Sequence, residues 1–370
     1  MGLIASLPGR GGQKKDLQLT FGLPAEDITA NGTFFPPEWY PQSGVQLTWP
    51  HAQTDWAYML DEVTACFTEI AAAISQRERV LIVAPDTDSV KRCLEGKVHM
   101  ENLRFFPCGT NDTWARDHGA ISLVGMESPQ LLDFCFNGWG MKFAANLDNQ
   151  ITRQLHEGGC LHGKYVSHLD YVLEGGSIET DGKGTLLTTS ACLLSHNRND
   201  TLSRKEVEKK LCAMLHIERI LWLDHGYLAG DDTDSHIDTL ARICPDDTIA
   251  YVACRDKKDE HFTALKKMEE QLQSFRTKEG EPYRLLPLPM PEPIYADGER
   301  LPATYANFLV INGALLYPTY AQPEQDGMAA EVLAQAFPGR EIIGIDCRAL
   351  IKQHGSLHCV TMQYPKNILR

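Results

Sequence analysis

The 370-residue sequence carries 11 cysteines, from Cys66 to Cys359, yet no two form a C-x-x-C pair. An odd count at that density excludes the disulfide framework of a small secreted domain and the paired spacing of a zinc ribbon. Most of these thiols are expected reduced and buried, as small hydrophobes. No stretch reaches the roughly 18 continuous apolar residues of a membrane span. The N-terminal stretch from Met1 to Leu19 has no basic segment ahead of a long apolar core, so a cytoplasmic chain is expected, with no membrane partner. Positive charge is also in short supply: 35 Lys and Arg stand against 49 Asp and Glu, a net charge of −14. That balance argues against nucleic acid, whose phosphates need a basic face, and it suits a small cation. H-E-x-x-H, G-x-S-x-G and Walker A motifs are all absent. The acidic run Asp231–Asp238 fails as a calcium loop, because Ile237 and Ile243 stand where that loop needs Gly and Glu. No metal and no cofactor are expected.

What is present is an alternation of helical and strand patterns. Trp56, Met59, Leu60, Val63, Phe67, Ile70 and Ile74 fall on one stripe of a helix within 54–76, and the β-branched run Val80–Val83 follows as a buried strand. Ser203 and Glu206 form a capping box ahead of Val207, Leu211 and Leu215, with a strand at Ile220–Leu223. A third helix is marked by Phe262, Leu265, Met268 and Leu272, and a fourth lies at 325–336, each again followed by a strand. Between these pairs lie hairpins with turns at Asp181–Gly182, Pro245–Asp247 and Asn312–Gly313. The pattern predicts an α/β chain of four or five diverged ββαβ repeats, radial or barrel-like, in a single domain from about residue 35 onward.

The chemically informative residues sit on the hairpins. Four phrases stand out: 111–117 (NDTWARD), 173–177 (LEGGS), 231–238 (DDTDSHID) and 355–359 (GSLHC). On a strand, His236 and Asp238 would project to one face, whereas Arg116 would face away from Asp117, and His358 away from Cys359. Cys359 is the one cysteine inside a motif-like phrase, and its base must then come from elsewhere in the fold. Glu174 lies against Gly175–Gly176, two residues that let backbones approach closely. Each phrase alone is compatible with a purely structural role.

Together they resemble the agmatine deiminase branch of the guanidino-group modifying superfamily, the pentein fold. The resemblance rests on Trp114-x-Arg116-Asp117, the stretch 173–199, TDSHIDTLAR at 233–242, 298–318 and HCVTMQYP at 358–365. Two departures stand out: Gly355-Ser-Leu-His replaces a glycine run frequent in relatives, and Asp232 stands where some relatives have Glu. The resemblance implies a five-bladed α/β propeller with the active site in its central channel. Residues 35–370 would form the deiminase domain, and 1–34 a leader or N-terminal extension. It assigns Asp117 and Asp238 to the guanidinium, Cys359 as nucleophile, His236 as acid and base, and Glu174 as the residue that orients His236. Trp114, Asp112 and Asp232 would read the far amine. The implied reaction is hydrolysis of agmatine, a small cationic guanidino substrate, to N-carbamoylputrescine and ammonia through an amidino-cysteine. Peptidyl-arginine or free-arginine deimination would use the same catalytic set. An amidinotransferase and a non-catalytic pentein binding protein are further readings. A homo-oligomer is compatible with the sequence.

Overall fold

The structure, a computed structural model, describes residues 32–125 and 128–370. Five sheets repeat one connection: an antiparallel pair, a helix, then a third strand parallel to the second. In the first, Ile121–Gly125 pairs antiparallel with Gln130–Cys135, and helix Ile151–Glu157 leads to the parallel strand Lys164–Val172. The second joins Ile178–Thr180, Thr185–Thr189 and Arg219–Leu223 across helix Arg204–Leu215. The third joins Ala241–Cys244, Thr248–Ala253 and Arg284–Pro289 across helix Phe262–Ser274. The fourth joins Leu309–Ile311, Ala314–Thr319 and Glu341–Asp346 across helix Pro323–Ala336. In the fifth, the late strand Thr361–Pro365 pairs antiparallel with Gln42–Thr48, which runs parallel to Arg79–Ala84 across helix Leu60–Ser75. Distant parts of the chain therefore close one sheet.

Three of these helices bury the stripe read from sequence, whereas Ile151–Glu157 was not foreseen. Phe67, Ile70 and Ile74 are fully buried against Val80 and Ile82. Each such side chain contributes about 1.5–3 kcal/mol of burial free energy. The capping box forms, with the Ser203 amide donating to Glu206 Oε2 at 2.8 Å. Short first strands such as Ile178–Thr180, Ala241–Cys244 and Leu309–Ile311 are buried at every position. They nevertheless carry Glu179 and Arg242, so the interior where the sheets meet is polar. There Arg242 is paired with Glu38 at 2.7 Å and also with Glu179.

Three sequence expectations change. The H-x-D phrase is not on a strand: Asp234 and Ser235 take positive φ (67° and 66°), and Ile237–Thr239 is a 3-10 turn. Arg116 and Asp117 lie on one helical turn, Ala115–His118. Cys359 and His358 precede the last strand, which begins at Thr361. Strand Leu103–Pro107 and helix Thr87–Leu94, too short for a clear period, were not foreseen. Of the expected leader, residues 1–31 lie outside the described residues, while Thr33–Phe34 pairs with the edge of Ile121–Gly125. Among the described residues no helix is long and apolar enough to cross a membrane.

Candidate active site

The turn Ala115–His118 aims the Asp117 carboxylate inward, where Oδ1 accepts from the Gly176 amide at 3.0 Å and Oδ2 from the Trp139 indole at 2.9 Å. His236 Nδ1 lies 3.7 Å from Asp117 Oδ1, with both side chains almost wholly buried. Asp238 is fully buried and its Oδ2 is 2.8 Å from His358 Nδ1. Gly176 sits at the centre of this set. A Cβ there would fall 2.6 Å from His236 Nδ1, 2.9 Å from Asp117 Oδ1 and 3.1 Å from Asp238 Oδ2. Only glycine lets the two carboxylates and the imidazole converge.

Cys359 reaches the same centre on the turn before the last strand, its Sγ 3.4 Å from Asn307 Oδ1. The Asn307 side chain also accepts from the His358 amide at 2.9 Å and so fixes the cysteine loop. Burial, then Asp238 and Asp117, push the Cys359 thiol well above its usual range. Burial likewise raises Asp117, helped by Asp238 and Glu174, to about 6 despite His236. Burial would also raise Asp238, but His358, through its hydrogen bond and charge, outweighs it and holds that carboxyl low. For His236, burial opposes protonation, yet Asp117 and then Cys192 outweigh it and raise the imidazole well above its usual value. The surroundings thus favour the neutral form of the Cys359 thiol and the charged form of the His236 imidazole. A planar cation entering between the carboxylates would offset their charge and free the thiol to ionise.

Asp117 and Cys359 open onto a cavity of about 380 Å³. Its lining also includes Trp114, Trp139 and Phe143 and the acids Asp55, Asp112 and Asp232. Burial and then Asp55 raise Asp112 to about 7. Among the described residues no Arg or Lys lines this cavity; His354 does, and its Nδ1 is 2.7 Å from the Gly230 carbonyl. A larger cavity, about 600 Å³, lies behind Arg116 and His358 and holds none of the thiol chemistry.

Of the residues read from sequence, Asp112, Trp114, Asp117, Asp232 and Cys359 line the one cavity, whereas His236, Asp238 and Glu174 stand behind its wall. The acidic run divides by task. Asp231 ties its own loop, accepting from Thr233 Oγ1 at 2.6 Å and the Ser235 amide at 2.7 Å. Asp234 pairs with Arg198 (2.5 Å) and Lys142 (2.9 Å), so it is taken up structurally, and Asp232 is left to the cavity. Glu174 is within 4.8 Å of His236, but its Oε1 accepts from Arg198 Nε at 2.9 Å and its Oε2 has no partner. Arg116 does face away from the cavity, donating to the His358 carbonyl at 3.4 Å, through helical and not strand geometry. Sequence reasoning missed Asp55, Trp139, Phe143 and Asn307. Asn137–Met141, where Trp139 (54°), Gly140 (85°) and Met141 (68°) take positive φ, gives no periodic signal.

Comparison with known proteins agrees with this geometry. Residues 34–365 match the family of Porphyromonas-type peptidyl-arginine deiminases. A candidate agmatine deiminase of Legionella pneumophila (strain Paris) is 35% identical over 341 residues, 91% of this chain and 96% of that protein. The agmatine deiminase of Ectopseudomonas mendocina is 31% identical over 91% of this chain and 96% of its own length. Among solved structures, a candidate arginine deiminase of Porphyromonas gingivalis superposes with TM-score 0.87 and 55% identity, covering 91% of this chain and 100% of that one. A C. jejuni agmatine deiminase with substrate bound gives TM-score 0.84 and 41% identity, over 91% and 97%. The chain belongs to the Porphyromonas-type peptidyl-arginine deiminase family.

Proposed function

We propose that the protein is a cytoplasmic agmatine deiminase, a hydrolase converting agmatine and water to N-carbamoylputrescine and ammonia through an amidino-cysteine. The observation that carries this reading is the cavity itself. Its lining combines the Cys359 thiol and the Asp117 carboxylate with three further acids, Asp55, Asp112 and Asp232, and the indoles of Trp114 and Trp139, and no Arg or Lys is among the described lining residues. Agmatine has a cation at each end. Arginine adds a carboxylate, which this lining would leave unpaired among acids, at a cost of a few kcal/mol. The family name and the 55%-identical P. gingivalis protein favour arginine or peptidyl-arginine as the second reading.

The residue roles are those the resemblance implies, supported by the convergence of Asp117, Asp238 and His236 around Gly176. Asp117 and Asp238 pair with the guanidinium edges and fix its plane. The Cys359 thiolate, formed as the bound cation offsets the two acids, attacks the central carbon. The tetrahedral adduct expels one amino group as ammonia, taking a proton from His236, and leaves an S-amidino-cysteine. Neutral His236 then takes a proton from water, whose oxygen attacks the same carbon. Collapse breaks the C–S bond, releasing the ureido product and the thiolate. One water enters and one ammonia leaves, and no cofactor is called on. Glu174 acts through the wall behind His236. We further infer that residues 35–370 form one catalytic domain and that its five ββαβ units stand radially as a five-bladed propeller. The shared closing sheet and the polar, buried first strands support that arrangement.

The test is ammonia release measured side by side on agmatine, free arginine and a blocked arginine peptide. Agmatine should lead by at least about tenfold in kcat/KM, since ~1.4 kcal/mol is tenfold. Equal or faster turnover of either arginine substrate would replace agmatine with the second reading.

A further inference from the structure

Behind the cavity, three side chains from separate elements converge. Glu174 precedes the turn Gly175–Ser177, Cys192 sits on the short helix Ser190–Leu193, and His236 ends the acidic loop. A carboxylate oxygen of Glu174, Cys192 Sγ and a ring nitrogen of His236 all lie within 4.8 Å of one another, and all three residues are buried. Two atoms in this group have no hydrogen-bond partner although they are fully enclosed: Glu174 Oε2 and His236 Nε2. Both side chains are at most 1% exposed. Arg198 donates to the other Glu174 oxygen, Oε1, at 2.9 Å. Thr189 ties two of the elements together, since its Oγ1 accepts from the Cys192 amide at 3.3 Å and donates to the Ser235 carbonyl at 2.8 Å.

We propose that Glu174, Cys192 and His236 form a binding site for a soft divalent cation of the zinc class, and that filling it withdraws His236 from turnover. Thiolate, imidazole and carboxylate are the donor types zinc takes, three from the protein with a fourth position open. Bonds of roughly 2.0–2.3 Å set tetrahedral donors about 3.3–3.8 Å apart, so the three atoms, within 4.8 Å of one another, would close in on the ion as it binds. The metal is an inhibitor here and no part of the reaction, because it occupies the imidazole that must carry protons. This inhibitory half rests on the deiminase reading, whereas the binding half does not.

Cobalt(II) is the probe, because thiolate ligation gives it an intense near-ultraviolet charge-transfer band. The full-length protein is stripped with chelator and titrated with cobalt(II) in four forms: wild type, Cys359→Ala, Cys192→Ala and Cys192→Ser. The band is expected in wild type and Cys359→Ala, absent in Cys192→Ala and weakened or absent in Cys192→Ser. Zinc should displace it stoichiometrically, and wild-type ammonia release should fall at least tenfold with zinc and return with chelator. Cys192→Ser serves as the deciding variant if Cys192→Ala melts early. A missing band in wild type, or a band that survives loss of Cys192, overturns the proposal. So does a band lost with Cys359, which would place the metal on the nucleophile. If the band behaves as expected but agmatine is not deiminated, the metal site stands and the functional reading alone fails.

Discussion

Two carboxylates around one thiol set the character of the site at the scale of single residues. Asp117 is held at about 6 and Asp112 at about 7, chiefly by burial. A carboxyl with a raised pKa is neutral below it and charged above it, and only the charged form attracts the cationic substrate. kcat/KM for agmatine should therefore rise with pH through 6 to 7 before it levels. A plateau already reached at pH 5 would show that neither acid reads the substrate in its free form. Asp112→Asn and Asp232→Asn should each weaken agmatine by about tenfold or more while leaving arginine little changed, as expected when a desolvated ammonium loses its acid. An unaltered ratio of specificity constants in both variants would place the amine elsewhere. Cys359, His236, Asp117 and Asp238, the proposed nucleophile, acid–base and guanidinium partners, were singled out because their short phrases together resemble one family. Asp55 and Asn307 were not, because an isolated Asp or Asn carries no local signal until the fold brings it to the cavity.

Among the elements, turns position the chemistry and helices supply the stability. Gly176→Ala would drive a methyl to 2.6 Å from His236 Nδ1. Turnover should fall about a hundredfold, the scale of a 1 Å misplacement, and circular dichroism should still report a folded chain. Wild-type activity in that variant would mean that the two acids and the imidazole do not share this centre. Ser203→Ala, which truncates the cap of helix Arg204–Leu215, should cost ~1 kcal/mol of stability and leave kcat unchanged. The contrast explains what could be read in advance. Helix stripes repeat over several turns and announce themselves, as Val63 to Ile74 did. The loop Asp231–His236 bends through two positive-φ residues, Asp234 and Ser235, which alternation rules do not describe. His236 and Asp238 therefore meet through a 3-10 turn and not through a strand face.

For the molecule as a whole, carboxyl groups held away from water make stability depend on pH in two opposite ways. Glu78, Asp112 and Asp148, each raised by burial to about 7, and Asp117 and Asp133, raised to about 6, keep protons that the unfolded chain releases near pH 4. The folded state binds more protons across that window, so stability falls as pH rises from about 4 to 7. Asp238, Glu38 and Asp259 are instead held low by their ion pairs and hydrogen bonds, which outweigh burial, and the stability they confer is lost as pH falls below about 4. The thermal midpoint should peak between those limits and be lower at pH 8 than at pH 5. A midpoint that climbs steadily to pH 8 would contradict the buried neutral acids. The repeat itself was legible from hairpins and capped helices. The closure of Thr361–Pro365 onto Gln42–Thr48 was not, since it joins strands more than 300 residues apart and leaves no local pattern.

The proposed reaction turns on a covalent intermediate at Cys359. Its most direct measurement is rapid acid quench of the enzyme with agmatine, followed by intact-mass and peptide analysis. The predicted result is a transient adduct of agmatine less ammonia on the peptide containing Cys359, formed no later than the first turnover of ammonia and absent, with all activity, in Cys359→Ala. An adduct on any other cysteine, or ammonia released at full rate by Cys359→Ala, would contradict it.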